Sequence, residues 1–464
     1  MLILKVVEMK KTAVLVFSAL ILTQLFALTV GDLQSAMMGS NPDILKAKEE
    51  INKASLDVKD AKSGYAPTID LTITGSYIAN PIDPIRINLG DYINTSVYGV
   101  PNDYVTIYGG QENMYYQFQL SLTQPIFTWG KITNAVRLYQ KVYDARVLQL
   151  EDAIEKAQTE LRTRVAALYY LLQIQKLLED QRSIADRLVE HAGNAQQNGM
   201  MLATDALKVK VQSRQIDVAK AQIDQQIVLM VTEIRNLTGI RDLASEDIEF
   251  DESEFQRQLE ELGTTDYNTL YSRCLSDSRT TLQLLGALAQ IADLTNDIAG
   301  ASVNWKPDMA LVVNADYSGS RLPFAETDWY GKDDWSATIT IALKTTIVDG
   351  GKAIRNVKRT ESGISEAQMD IQSAKAKITS AVDENWTNLA VYLAQIDYQD
   401  ALQKQLDAQG EVDKQLLDTG YGSESDYLQG QLESNNCGIE ILRTKISLAT
   451  AVYTLLYLQG DRSL

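Results

Sequence analysis

Histidine and cysteine are nearly absent from this chain of 464 residues: one His, at position 191, and two Cys, Cys274 and Cys437. No metal-spaced cluster and no Ser/His/Asp arrangement for nucleophilic catalysis can be drawn from so few groups. Two cysteines this far apart build no disulfide framework, and the sequence leaves open whether they bridge each other. Positive charge is in deficit, giving a formal net charge of −18, which argues against nucleic acid and against an anionic lipid surface as partners. Beyond the N-terminal region there is no uninterrupted apolar run of the roughly 18 residues that a membrane helix needs. Tyrosine, by contrast, is abundant at 22 residues.

The N-terminal region reads as a leader. Lys10 and Lys11 precede an apolar run over 13–28, broken only by Ser18, Thr23 and Gln24, with a small residue at Ala27. A basic start, a short apolar stretch and a small residue are the marks of a secretory signal peptide, here residues 1–27, with Met9 as a candidate start. The competing reading, an anchored membrane helix, suits a longer and less interrupted run. No Cys follows the expected cleavage site, so a lipid anchor is not indicated.

The chain repeats itself. At an offset of 221, Gly130-Lys131 falls on Gly351-Lys352, Leu168 on Leu389, Gly199 on Gly420, Asp205 on Asp426, and Gly239 on Gly460. Upstream an offset of 240 holds, with Pro67 on Pro307, Leu71 on Leu311 and Tyr77 on Tyr317. The difference of 19 lies between residues 78 and 114, read as a loop that is longer in the first copy. Two copies of one unit are therefore expected, 28–239 and 273–464, joined by an acidic connector over 240–272.

Each unit opens with a helix. Ser40-Asn41-Pro42 supplies a cap and a helix-starting proline. Ile44, Ala47, Ile51, Ala54, Val58, Ala61 and Tyr65 then form a heptad seam, matched by Leu284, Ala287, Ile291, Leu294, Ile298, Ala301 and Trp305. After Pro67 the period changes to two, predicting strands over 68–78 and 115–124, and over 308–318 and 335–345 in the second copy. Ile69, Leu71, Ile73, Phe118, Leu120, Leu122, Leu311, Val313, Ile339 and Ile341 lie on their apolar faces. Each strand has about ten residues, the length of a tilted bilayer-crossing strand. Tyr77, Tyr115, Tyr116, Tyr317, Trp329, Tyr330 and Trp335 cluster near one set of strand ends, and Tyr65, Phe127, Trp129 and Trp305 near the other. Such clusters fit the two aromatic girdles of a membrane barrel; a soluble two-sheet sandwich is the alternative for the strands alone.

The strands run into Gly-Lys turns, and the second of these, Gly350-Gly351-Lys352, lacks the residues of a phosphate loop because Thr346 and Ala353 stand where Gly and Ser/Thr are needed. A helix over 132–197, free of proline and without glycine until Gly193, follows; it would measure roughly 100 Å. A return helix over 204–237 completes a hairpin (131–238), repeated at 352–458. The hairpin tips carry Gly199, Met200, Met201, Leu202, Thr204 and Asp205, and Gly420, Tyr421, Gly422, Ser423, Ser425 and Asp426. Thr204 and Ser425 are read as caps of the outgoing helices, and Asp205 and Asp426 as first-turn carboxylates that complement the helix dipole. Alternatively, copies of Asp426 from several chains form an acidic ring at a pore entrance that favours cations.

Four strands per chain cannot close a barrel, and lipid tolerates no open edge, so partner chains are required; three would supply twelve strands. The fold class expected is mainly α with membrane β: a duplicated strand–strand–long helical hairpin unit, in a trimeric 12-stranded β-barrel continued by an α-helical coiled-coil tunnel.

The QPIFTWGK and DGGK turns, the GMMLATDALK and GYGSESDYL tips, the NLTG and YLQG repeat ends and the helix–YAPTIDL junction resemble those of the outer membrane efflux protein family, the TolC-like channels. The resemblance spans nearly the whole chain after the leader. It implies a homotrimer in the cell outer membrane, contacting outer-membrane lipid and extending into the periplasm. It implies docking, through the tip turns Gly199 to Leu202 and Gly420 to Ser423, to a periplasmic adaptor and an inner-membrane transporter, and passive conduction of small molecules or proteins without any cofactor. Asp426 stands where the family often places an entrance carboxylate, with Thr204, Asp205 and Ser425 beside the same entrance; Gln429 and Gly422 replace a second carboxylate and a basic tip residue. A periplasmic coiled-coil adaptor or rod is the rival reading. It explains the helices but not the duplicated, aromatic-ended strands.

Overall fold

Two helical hairpins of equal size dominate the computed structural model, which describes residues 28–92, 97, 104–303, 306–326 and 335–460. The leader expected over residues 1–27 and the aromatic residues Trp305, Trp329 and Tyr330 lie outside the described residues. In chain order the elements are α1 (Val30–Ser40), α2 (Pro42–Ser63), β1 (Thr68–Tyr77), β2 (Ile85–Asn88), β3 (Tyr104–Tyr108), β4 (Met114–Phe127), α3 (Lys131–Gln197), α4 (Ala203–Thr238), α5 (Glu252–Thr264), α6 (Tyr267–Cys274), α7 (Thr280–Ala301), β5 (Asp308–Gly319), β6 (Trp335–Lys344), α8 (Lys352–Asp418) and α9 (Glu424–Gln459). Helices α3 and α8 each have 67 residues, and α4 and α9 each have 36. Every boundary of the first hairpin recurs 221 residues later in the second.

The chain divides into two compact units, Met1–Lys53, Asp144–Leu288 and Ala367–Leu464 in one, Ala54–Tyr143 and Ala289–Glu366 in the other. The first is helical. Its core is lined by Leu161, Leu168 and Ile174 of α3, Ile234 of α4, and Val452 and Leu455 of α9, all at most 1 % exposed. The acidic connector is not a plain linker: α5 and α6 fold within it and bury Phe255, Leu262, Leu270 and Cys274 against that core. Its charged residues are exposed or half-buried, and Asp251 caps α5 by accepting from the backbone N–H groups of Ser253 and Glu254 at 3.0 and 3.1 Å. A parallel bridge ties the connector to the start of the described chain, with Glu249 N donating to Leu28 O at 3.0 Å. Aromatic rings fill the junction: Phe250 lies 5.0 Å from Tyr169 and 6.0 Å from both Tyr170 and Phe255, and Tyr453 lies 5.8 Å from Phe255. Helix α9 is long and apolar enough to cross a membrane by composition, but its apolar side is largely taken up by this core. Cys274 and Cys437 are both buried and unbridged. Burial pushes the Cys274 thiol up to about 11.

Helix α1 precedes the helix that the sequence reading placed first. It begins with a reciprocal capping box in which Asp32 N donates to the Thr29 hydroxyl and Thr29 N to the Asp32 carboxylate, at 3.2 and 3.0 Å. Asn41 then caps α2, its Oδ1 accepting from the backbone N–H groups of Asp43 and Ile44 at 2.9 and 3.2 Å. Along α2 the heptad residues are buried or half-buried from Ile44 to Ala61, while Tyr65, past the helix end, is exposed.

The second unit holds a four-stranded antiparallel sheet of order β1-β4-β5-β6. Residues directly opposite each other in an antiparallel pair share a face. The register therefore builds rows across all four strands: Ile69–Leu122–Val313–Ile339, Leu71–Leu120–Ala315–Ala337, and Ile73–Phe118–Tyr317–Trp335. The opposite face reads Asp70–Ser121–Asn314–Thr338 and Thr72–Gln119–Asp316–Ser336, and there Ser121 Oγ donates to Asn314 Oδ1 at 2.7 Å. Strand β4 runs past the expected end at residue 124 to Phe127, because the ladder absorbs Pro125 with a bulge between Pro125 and Phe127. The segment 78–114 is not simply a loop: β2 and β3 pair within it as a separate two-stranded ribbon.

The strand-to-helix turns need left-handed backbone, at Trp129 and Gly130 in one copy and at Gly350 and Gly351 in the other. Trp129 is fixed there by Nε1 donating to Pro307 O at 3.0 Å and by its edge contact with Phe127. Asp349 caps α8, accepting from the backbone of Ala353 at 2.7 Å and Gly351 at 2.8 Å, and these bonds hold its carboxyl below the usual range. The Gly-Gly-Lys segment is thus a helix start.

The two hairpins end on left-handed glycines with different surroundings. A Cβ on Gly239 (φ 73°) would lie 2.5 Å from Ser40 Cβ, whereas at Gly460 (φ 71°) the nearest atom is Arg279 Cγ at 4.0 Å. Gly460→Ala should cost about 1–2 kcal/mol of left-handed strain. Gly239→Ala should cost distinctly more, because Ser40, which donates to Thr238 O, must move. Urea unfolding of the two variants, followed by circular dichroism, checks the order.

Candidate functional site

The tips of the two hairpins are built alike. Helix α3 closes on Gly199 (φ 71°), with Met200 N donating to Ala195 O at 2.8 Å; α8 closes on Gly420 (φ 80°), with Tyr421 N donating to Leu416 O at 2.9 Å. In the second tip Gly422 N also donates to Leu416 O, at 2.9 Å. A Cβ on Gly422 would sit 2.7 Å from Leu417 N, so the tightness of this turn excludes any side chain there.

The outgoing helices start earlier than their expected caps. Leu202 is the N-cap of α4 and Ser423 that of α9, and neither makes a side-chain cap bond. Thr204 and Ser425 lie inside the first turn, so neither caps its helix, contrary to the sequence reading. Asp205 and Asp426 both fall in the first turn, where the exposed N–H dipoles favour a carboxylate. They are not equivalent in their surroundings: Asp205 is half-buried and pairs with Lys208 at 2.9 Å, whereas Asp426 is exposed and makes no ion pair among the described residues. Met200, Leu202 and Tyr421 stand 79, 70 and 88 % exposed, an apolar surface at both turns.

A contact between the two repeats was not foreseen from sequence. Glu424, in the first turn of α9, accepts from Arg187 Nη2 at 2.7 Å, and His191 Nε2 lies 3.4 Å from its other oxygen. Arg187 and His191 are four residues apart on α3 and present one face, a spacing that could have flagged the pair. Further along, Gln181 Nε2 donates to Asn436 Oδ1 at 2.8 Å, and Leu188 packs with Leu428 and Leu432. Helix α3 of the first repeat and α9 of the second are thereby pinned at the tip.

The membrane-facing residues read from sequence lie where the sheet is open. Ile69, Leu71, Ile339 and Ile341 are 65, 62, 77 and 64 % exposed, and Leu120 is exposed. Phe118, Leu122, Leu311 and Val313 on the inner strands are half-buried by their neighbours on the same face. At one end Phe118, Tyr317 and Trp335 stack in a row, with centroids 6.3 and 5.0 Å apart.

Thr204→Ala and Ser425→Ala should each shift stability by no more than about 0.5 kcal/mol, since no cap bond is lost. Asn41→Ala, which removes a real cap, should cost about 1 kcal/mol. Chemical unfolding midpoints separate the two outcomes.

No curated protein matches the chain by sequence. Solved structures do match its fold. The outer membrane protein VceC from Vibrio cholerae superposes with a TM-score of 0.69 at 15 % identity, covering 93 % of this chain and 96 % of that one. The Campylobacter jejuni CmeC outer membrane channel gives 0.71 at 14 % identity, covering 93 % and 85 %. The open state of the Neisseria gonorrhoeae MtrE outer membrane channel gives 0.58 at 13 %, covering 93 % and 88 %. Residues 33–240, nearly the whole of the first repeat, match the sequence model of the outer membrane efflux protein family. The first repeat is thus similar in sequence to the outer membrane efflux protein family, and the chain as a whole shares the fold of outer membrane channels.

Proposed function

We propose that three copies of this chain form the exit duct of a tripartite efflux or type I secretion system, passively conducting small molecules or proteins from a periplasmic adaptor and inner-membrane transporter to the exterior. The match of the first repeat to the outer membrane efflux protein family and the channel fold support a place in the cell outer membrane as a channel. The observation that carries the finer reading is the sheet. Among the described residues it is four strands wide, apolar on one face, polar on the other, and β1 and β6 each have one neighbour only. Unpaired strand edges are not tolerated in hydrocarbon. Three such sheets joined edge to edge make twelve strands, an even number in the range of outer-membrane barrels.

In this reading Ile69, Leu71, Ile73, Phe118, Leu120, Leu122, Leu311, Val313, Ile339 and Ile341 face lipid, and Asp70, Asn314 and Asp316 on the other face meet the aqueous lumen. The helical hairpins line a tunnel whose entrance is formed by the tips, with Thr204, Asp205, Ser425 and Asp426 at its mouth. The turns from Gly199 to Leu202 and from Gly420 to Ser423 contact the adaptor. Asp426, exposed and without an ion pair among the described residues, is the better candidate for an entrance ring than Asp205, whose charge is offset by Lys208. The leader expected over residues 1–27, outside the described residues, fits export to the periplasm.

Protein extracted from outer membranes in mild detergent should run as a trimer by mass. It should give discrete, cation-favouring conductance steps in a planar bilayer, with selectivity weakened by Asp426→Asn. A monomer without conductance contradicts the duct; unchanged selectivity in the variant removes Asp426 from the entrance and leaves it a dipole partner of α9.

A further inference from the structure

Positive charge gathers at one place in this acidic chain, the start of α8. From Gly350 to Thr360 there are four cations, Lys352, Arg355, Lys358 and Arg359, and no carboxylate, although the net charge of the chain is −18. All four are exposed, and none makes an ion pair among the described residues. The first repeat lacks this run: at the 221-residue offset the same positions hold Lys131, Asn134, Arg137 and Leu138. Helix stability does not account for it, because positive charge in the first turns of a helix opposes the helix dipole. Nor is it a bare helix end, since Asp349 already accepts from the backbone N–H groups of Gly351, Lys352 and Ala353. Any ligand there must be held by side chains.

Lys131 shows which way the stripe points. Its Nζ donates to both carboxylate oxygens of Asp308, at 2.9 and 2.8 Å. Asp308 lies an even number of residues from Asn314 and Asp316 along β5, and so shares their polar face of the sheet. Lys352 is the counterpart of Lys131, and Arg355 and Arg359, three and seven residues further on, share its face of α8. In the duct reading that face meets the aqueous interior. Other sides of the helix are occupied differently: Thr360 donates to Asn296 of α7 at 2.7 Å, and Ile354 is an exposed apolar residue on the far side. The charge on the stripe is not cancelled. At the offset of 240 the counterpart of Asp308 is Thr68, so the carboxylate that neutralises Lys131 has no equivalent for Lys352. Arg355 places one Nη on Gly350 O at 2.9 Å and keeps its other donors free of any protein acceptor among the described residues. The next carboxylate on this face is Glu366, seven residues or roughly 10 Å beyond Arg359, about one Debye length at 0.1 M salt.

We propose that Lys352, Arg355 and Arg359 form a basic collar inside the duct, where strand gives way to helix, that binds anions carrying several carboxylate or phosphate groups and so favours anionic cargo. The collar rests on the duct reading. Three cations per copy place nine at one level when three copies assemble. Guanidinium groups match the paired oxygens of carboxylate and phosphate, and rings of Arg and Lys are the device by which pores select anions. A polyanion touches several members of such a ring at once, which a monovalent ion cannot do. A phospholipid phosphate at the membrane border is the less fitting ligand, because it would meet the side of α8 that carries Ile354.

The test is single-channel current through the full-length protein in planar bilayers at fixed ionic strength, with inorganic tripolyphosphate added to each compartment in turn. Tripolyphosphate should block the current in a voltage-dependent way. In the Arg355→Gln/Arg359→Gln variant the half-blocking concentration should rise about tenfold. Lys352→Gln, which removes no hydrogen bond of the Lys352 side chain among the described residues, should raise it by a smaller factor and carries the test if the double variant fails to form channels. Cation preference should increase in both variants. Conducting trimers that tripolyphosphate leaves unblocked, or blocks equally in wild type and variants, overturn the collar and leave the channel standing. A protein that gives no conductance overturns the duct reading and the collar with it.

Discussion

Every backbone N–H and C=O placed in hydrocarbon must find a partner within protein, and a sheet with two open edges cannot satisfy that demand alone. In the proposed duct this constraint governs the chain. The four strands are matched in register so that one face is apolar over three consecutive rows and the other carries Asp70, Asn314 and Asp316. Such a sheet is stable neither as a soluble layer, which would leave Ile69, Leu71, Ile339 and Ile341 in water, nor as an isolated membrane element, which would leave β1 and β6 unpaired. Joining copies edge to edge removes both difficulties at once. The aromatic row of Phe118, Tyr317 and Trp335 then falls at one end of the strands, where amphipathic rings favour the border between lipid and water.

Duplication is the second organising fact. The two hairpins keep identical lengths, yet their surfaces have diverged according to what each touches. Return helix α9 is buried along most of its length, carrying Leu428, Leu432, Ile439, Leu442 and Val452, whereas α4 keeps Leu207, Val211, Val218 and Val228 exposed. The same divergence appears at the tips, where Glu424 is held by Arg187 while Asp426 two residues later stays exposed. The connector, which has no counterpart in the repeat, covers the helices where their aromatic residues concentrate, and its two short helices supply Phe255, Leu262 and Leu270 to the core.

Much of this was legible in the sequence because it rests on periodicity and on missing residues. The absence of proline and glycine from 132–192 marks α3, and the 221-residue offset carries its boundaries to α8. Alternation at Ile69, Leu71 and Ile73 is a direct signature of a two-faced strand. What escaped depends on a few local bonds. The eleven-residue α1 is short, and its signal, a Thr29/Asp32 capping box, sits beside the leader where it was absorbed into the run-in. The β2–β3 ribbon pairs only four positions, within a segment that the comparison of the two repeats set apart as a loop. Thr204 and Ser425 were misassigned as caps because Ser and Thr favour that position by propensity, while the tight glycine turns let each helix begin one residue earlier, on Ala203 and Glu424. The Glu424–Arg187–His191 contact joins residues more than 230 positions apart, and no local pattern encodes such a distance.

The two-faced sheet in lipid is the point on which the rest turns, and β6 is the strand on which to measure it. Single cysteines placed along Trp335–Lys344 in intact outer membranes can be challenged with a charged, membrane-impermeant thiol reagent. The account predicts alternation: Thr338→Cys and Thr340→Cys label, whereas Ile339→Cys and Ile341→Cys stay unreactive. Equal labelling at all four positions would mean that both faces of the sheet meet water, and would contradict a barrel wall.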